Sequence, residues 1–190
     1  MAGRPRGFDE EDALAAVKTV FWKEGYEGAS MSAMEAATGL KKQSLYRLYG
    51  DKRGLYLAAF DHYARNEVRA GLDILTGFGT AAERVKAFFD LAVADAETGD
   101  RLGCFVCAAS LDQADHDPAS REAVGRQIER LRYGLFVALS ASEPYATNET
   151  RRLNKASELL AVYFGLRVMA RSGAPVALMK SAAAAAVAGI

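Results

Sequence analysis

Apolar positions recur at three- and four-residue intervals along nearly the whole chain, and the runs between them are closed by glycine, proline or short polar caps. The alternation that a half-buried strand needs is sustained nowhere, so the pattern predicts an all-α fold. Asp9 to Glu24 carries Leu14, Val17 and Phe21, flanked by Ala13 and Val20, on one helical face. Asp9, Glu10, Glu11 and Asp12 fall in its first turn, where the helix dipole favours negative charge, and Gly25, Tyr26 and Gly28 close it. Two short runs follow on either side of Thr38-Gly39-Leu40. In the first, Met31, Met34 and Ala37 share a face, Ser30 or Ser32 is available as N-cap, and Glu35 is spaced to complete a capping box from Ser32. In the second, Leu45 and Leu48 face inward and leave Lys41, Lys42, Gln43, Ser44, Tyr46, Arg47 and Tyr49 on or near the outside. Two short helices about a glycine turn make a helix-turn-helix, and an outer face so rich in donors suits an anionic partner.

Asp51 can cap a longer helix that runs from Lys52 toward Leu75 through Leu55, Ala59, Tyr63 and Leu72. Thr76-Gly77-Phe78-Gly79 then breaks the pattern and marks a domain boundary. Five helical tracts follow: Thr80 to Thr98, Gly103 to Ala114, a helix opened by Asp117 and Pro118 and continuing to Leu139, Glu149 to Arg171, and a last alanine-rich helix after Gly173 and Pro175.

The chain has 190 residues, with 24 Lys plus Arg against 24 Asp plus Glu, so no global basic charge points to nucleic acid. The distribution changes that picture: between Met31 and Arg53 the cations Lys41, Lys42, Arg47, Lys52 and Arg53 face only Glu35 and Asp51. Gly3-Arg4-Pro5-Arg6 is polar and too short to fold alone; Arg4 and Arg6 can lie in a narrow minor groove, or the segment is an ordinary terminus. No apolar stretch is long enough to span a bilayer and the N-terminus does not read as a signal peptide, so a cytoplasmic protein with reduced cysteines is expected.

Ser44-Leu45-Tyr46, Tyr49-Gly50 and Lys52, together with Phe21, Trp22, Gly25, Tyr26, Gly28 and Ser30 upstream, resemble the DNA-binding segment of TetR-type transcriptional regulators. The resemblance covers the first third of the chain; beyond about Arg65 it rests on helical layout and length. Leu48 departs from it, standing where the family often has a polar phosphate contact, so that contact is absent here or moved to Arg47. The resemblance implies a homodimeric regulator, a repressor in the first instance, that binds a palindromic double-stranded DNA operator and is released by a small-molecule inducer. On that reading residues 1–8 form a flexible basic arm, 9–55 the helix-turn-helix domain and 56–190 a helical regulatory and dimerisation domain. Lys42, Gln43 and Arg47 are expected at base edges, and Ser44, Tyr46, Tyr49 and Lys52 on phosphates, with Arg4, Arg6, Ser32 and Lys41 completing the contact set. A two-fold four-helix interface is implied for the last two helices, with Leu159, Val162, Leu166, Met169 and Met179 as candidates. An inducer pocket is implied among Phe88, Phe89, Cys104, Phe105, Cys107, Leu111, Tyr133, Phe136 and Tyr163, each of which also reads as plain core.

Cys104 and Cys107 stand three apart at the start of a helix, where a thiolate is favoured, so an oxidant or electrophile switch is open beside the plainer reading of two small buried hydrophobes. A structural metal would need two further ligands, and His62 and His116, the two histidines, are far apart; no metal or cofactor is expected. No nucleophile with a base, carboxylate pair or phosphate loop can be assembled, so an enzyme is not expected. A dithiol enzyme and a helical protein–protein adaptor are the rival classes, and Trp22 reads as core.

Overall fold

The computed structural model describes residues 9–99 and 101–190. Ten α-helices form among them and no strand does: α1 (Glu10–Gly28), α2 (Met31–Thr38), α3 (Lys42–Tyr49), α4 (Lys52–Tyr63), α5 (Arg69–Leu75), α6 (Ala81–Glu97), α7 (Phe105–Asp112), α8 (Pro118–Leu139), α9 (Glu149–Ser172) and α10 (Val176–Val187). A π turn over Ala64–Val68 joins α4 to α5, so the two make one continuous rod out of the N-terminal module. None of these helices is long and apolar enough to cross a membrane.

The helices start and stop where short polar side chains satisfy their free amides. Asp9, Ser30, Asp51, Thr80, Asp117 and Asn148 each accept a first-turn N–H as N-cap. Ser30, not Ser32, caps α2, so Ser32 and Glu35 form no capping box; the reciprocal box forms instead between Thr80 and Glu83 on α6. Glu35 is used differently, accepting the Lys42 backbone N–H at 2.6 Å and so bracing the start of α3 against α2.

α1 runs four residues beyond the expected Glu24, but through a kink at Gly25, whose φ of +73° only glycine adopts cheaply. The kink separates two groups that a regular helix would pair with each other. The Tyr26 N–H instead donates to Asp112 Oδ2 at the end of α7, at 2.6 Å, and the Trp22 carbonyl accepts from Arg171 Nη1 of α9 at 3.4 Å. The end of α1 is thereby clasped by the second part of the chain.

One apolar core extends from α1 to α10. At the joint between module and body, the buried Phe105 ring lies 5.5 to 6.2 Å from the rings of Trp22, Tyr56, Phe60 and Tyr63. Burying a ring of that size contributes roughly 1.5–3 kcal/mol, and edge-on aromatic pairs add to it. The buried Arg84 staples the end of α5 to α8 by donating to the carbonyls of Leu75 and Ala138.

Candidate nucleic-acid interface and interior cavity

α3 is held from beneath by the buried Leu45 and ends at Gly50, whose N–H donates to the Tyr46 carbonyl at 2.7 Å. That anchoring leaves Lys41, Lys42, Gln43 and Arg47 exposed, with Ser44 and Tyr46 partly so; Lys42 Nζ sits 5.1 Å from the Tyr46 ring centre. Ser32 is exposed in the first turn of α2. Lys52, at the start of α4, stands 4.9 Å over the Tyr26 ring, with Nζ 3.4 Å from the Glu27 carbonyl, so it is positioned rather than free-swinging. The Tyr49 hydroxyl points back to Glu10 Oε1 at 3.4 Å. Arg53 is committed to the second part of the chain: its guanidinium pairs with Asp117, the N-cap of α8, at 2.8 Å. Arg4 and Arg6 lie outside the described residues.

An interior cavity of about 200 Å³ opens between α1, the α4–α5 rod, α6, α8 and α9. Trp22, Tyr63, Glu67, Phe88, Cys104, Leu131, Tyr163 and Arg167 are among the residues on its wall, the π turn supplying Glu67 and Val68. Beside it a more open cleft of about 450 Å³ between α1, α7 and α9 shares Trp22, Cys104 and Arg167 and adds Phe105 and Cys107. Of the aromatic and sulfur residues expected at a pocket, Phe88, Cys104 and Tyr163 meet at the cavity, and Phe105 and Cys107 at the cleft. Phe89 is wholly buried core.

Leu111 also borders the cleft, whereas Tyr133 and Phe136 border neither the cavity nor the cleft. Leu111 is 85% exposed, on the outer rim of the cleft. Tyr133 is 65% exposed, stacked on Phe136, which is covered by the Arg152 guanidinium 4.1 Å from its ring centre. Positions 133 and 136 share the outer face of α8, while Leu131 and Leu135 take the inner one. Among the expected interface residues, Leu159, Leu166 and Met179 are buried in the chain's own core and Val162 and Met169 are half-buried. The outward stripe of α9 is instead Ala161, Gly165 and Val168, the last 51% exposed, with Leu178 of α10 exposed at 53%.

Trp22, Tyr63 and Glu67 are wall residues that sequence reasoning missed, while Arg167, like Asp95, is a charge that the sequence leaves unassigned. Arg167 is buried and pairs through Nη1 with Asp95 of α6. Three polar atoms on this wall are buried without a hydrogen-bond partner: Trp22 Nε1, Glu67 Oε2 and Arg167 Nε. Unmatched polar atoms are uncommon in folded interiors, and a cluster of them on one cavity marks a place for a ligand or water. Cys104 is the N-cap of α7 and receives a hydrogen bond from the Tyr63 hydroxyl at 3.5 Å. The hydrogen bond that Cys107 gives it, aided by the Arg167 charge and the Tyr63 hydroxyl, outweighs burial and pulls its thiol down to about 6. The same hydrogen bond, together with burial, raises Cys107.

A basic helix-turn-helix, joined by a continuous rod to a helical body that encloses a cavity, defines a helix-turn-helix DNA-binding protein of the transcription-regulator class. Residues 13–59 match the family model described as bacterial regulatory proteins, tetR family. The chain is 30% identical over 138 residues to the HTH-type transcriptional regulator YezE of Bacillus subtilis, covering 72% of this chain and 71% of that one. It is 30% identical over 121 residues to the HTH-type transcriptional repressor BdcR of Escherichia coli, covering 63% and 60%. Among solved structures, a cysteine-substituted form of the TetR family regulator CifR, complexed with 26-base-pair operator DNA, superposes with a TM-score of 0.85 at 30% identity over 97% of this chain and 98% of that one. The chain belongs to the TetR family of transcriptional regulators.

Proposed function

We propose that the protein represses transcription as a homodimer bound to a palindromic operator and is released when a small molecule occupies the interior cavity. Residues 9–55 act as the DNA-binding module and 56–190 as the regulatory and dimerisation part. The observation that carries this reading is the outer face of α3, where Lys41, Lys42, Gln43 and Arg47 are exposed around a helix anchored by Leu45. Such a helix can enter a major groove, its N-terminal side chains reading base edges while Ser44, Tyr46 and Lys52 hold phosphates. Tyr49 orients the helix through Glu10. The operator-bound CifR structure and the naming of BdcR as a repressor support the DNA and repressor parts of the reading.

A palindrome is read by two modules, and the outward small and apolar residues of α9 and α10 suit close helix packing between copies. Release follows from the clasp on α1. A ligand between Trp22 and Arg167 lies against Trp22, whose carbonyl Arg171 clasps at the kinked end of α1, so it favours a module spacing that no longer fits both half-sites. Selection of genomic fragments with purified protein tests the proposal. An enriched inverted repeat is expected; no enrichment by folded protein would refute it.

A further inference from the structure

We propose that Cys104 is a covalent capture site for small, neutral α,β-unsaturated carbonyl compounds, whose carbonyl oxygen is held by the indole N–H of Trp22 and the Nε–H of Arg167. The proposal rests on the reading of the cavity as the effector site, and it names the chemical class of the effector.

Three observations converge. The first is the nucleophile: Cys104 lies on the wall of both the cavity and the neighbouring cleft, so a small molecule entering by the cleft reaches its sulfur. The Cys107 and Tyr63 hydrogen bonds and the Arg167 charge all favour the thiolate. The second is the pair of donors. Arg167 is buried, with Nη1 committed to Asp95 and to the Leu91 carbonyl, yet its Nε has no partner; Trp22 Nε1 on the same wall has none either. Two unpaired donors beside a thiolate suit a ligand that carries an electrophilic carbon conjugated to an oxygen acceptor. The third is size and charge. A cavity of about 150 Å³ suffices for benzene, so the 200 Å³ here suits a ligand of similar bulk. The carboxylates of Glu67 and Asp95 on the wall are already paired with Lys18 and Arg167, so the wall's charges are balanced and suit a neutral ligand.

In the capture step the Cys104 sulfur forms a bond to the β-carbon as the carbon–carbon double bond breaks. Its electron pair moves through the α-carbon to the carbonyl oxygen, giving an enolate stabilised by the two donors. A proton from water then adds at the α-carbon and the carbonyl re-forms. One thiolate, one enone and one proton become one thioether, and no oxidant is consumed.

The test treats the full-length protein with methyl vinyl ketone near neutral pH, reads adducts by intact mass and peptide mapping, and measures affinity for the selected operator before and after. A single adduct on Cys104 is expected, absent in Cys104→Ser and retained in Cys107→Ala. Trp22→Phe keeps the ring and removes the donor; it should slow capture about five-fold, the worth of one hydrogen bond. Its reaction with methyl methanethiosulfonate, which has no carbonyl, should keep its rate. Adducts on Cys107, no adduct, a Cys104–Cys107 disulfide in place of an adduct, or equal slowing of both reagents by Trp22→Phe would overturn the proposal. An adduct confined to Cys104 with unchanged operator affinity would uphold capture and refute the cavity as the effector site.

Discussion

Gln43 in α3 and Lys52 at the start of α4 belong to the proposed recognition surface and should fail differently when removed. Lys52 is a positioned cation at a helix start, so Lys52→Ala should weaken binding to all duplexes alike and reduce the salt slope by about one. Gln43 is exposed near the start of α3, so Gln43→Ala should relax preference at a single base pair at a cost of about 1–3 kcal/mol; fluorescence anisotropy on matched and mismatched duplexes reads both. His62 shows what the fold demands of a buried group. Burial, with Lys18 nearby, lowers its pKa, against Glu11 at 3.1 Å and Glu67, which raise it. The unfolded chain therefore binds the extra proton first. Stability should be full above about pH 6.5 and fall as the pH drops from there through the depressed folded value, and urea midpoints of wild type and His62→Phe should show the slope only in the former. At this scale the exposed polar face of α3 over a buried Leu45 was legible in the sequence because its pattern is local to one short helix. Arg167 and Trp22 were not, because an unpaired donor exists only once distant helices have closed around it.

The junction of α3 and α4 depends on one residue without a side chain. A Cβ on Gly54 would lie 1.9 Å from the Tyr49 carbonyl oxygen, which is backbone and cannot step aside. Gly54→Ala should cost at least about 1–3 kcal/mol of stability, seen in thermal unfolding, and disturb the presentation of α3. Gly165 is the opposite case. It lies mid-helix on the outer stripe of α9, and a side chain there meets nothing within 4 Å in the single chain. Gly165→Glu should leave each chain folded and, if α9 faces its copy, turn the dimer into a monomer with sharply reduced operator affinity; light scattering gives the mass. Helix order and type were legible from apolar periodicity, and the stop at Gly39 from its place after the short run. Cap partners were not: Ser32–Glu35 and Thr80–Glu83 share one spacing, and only the chain direction before each helix decides which forms a box. On α8 both Leu131 with Leu135 and Tyr133 with Phe136 are apolar pairs at helical spacing, so periodicity alone does not separate the inner face from the outer.

Across the whole molecule, α7 is the part that links Cys104 to the kinked end of α1. It begins at Cys104, places Phe105 among the rings of α1 and α4, and ends at Asp112, which holds the Tyr26 N–H that the α1 kink sets free. Asp112→Ala leaves that N–H unpaired at a cost of about 1–3 kcal/mol, and hydrogen exchange at Tyr26 should quicken while exchange in α9 does not. The break between α5 and α6 was legible from Gly77 and Gly79, whereas the clasp joins residues 86 apart and leaves no periodic trace. The central claim is that two copies of this chain read one inverted repeat through α3. Sedimentation of the protein with the selected duplex over a range of salt concentrations tests it most directly. Two chains per duplex are predicted, with affinity falling linearly in log–log form by several units of slope. One chain per duplex, or affinity indifferent to salt, would contradict it.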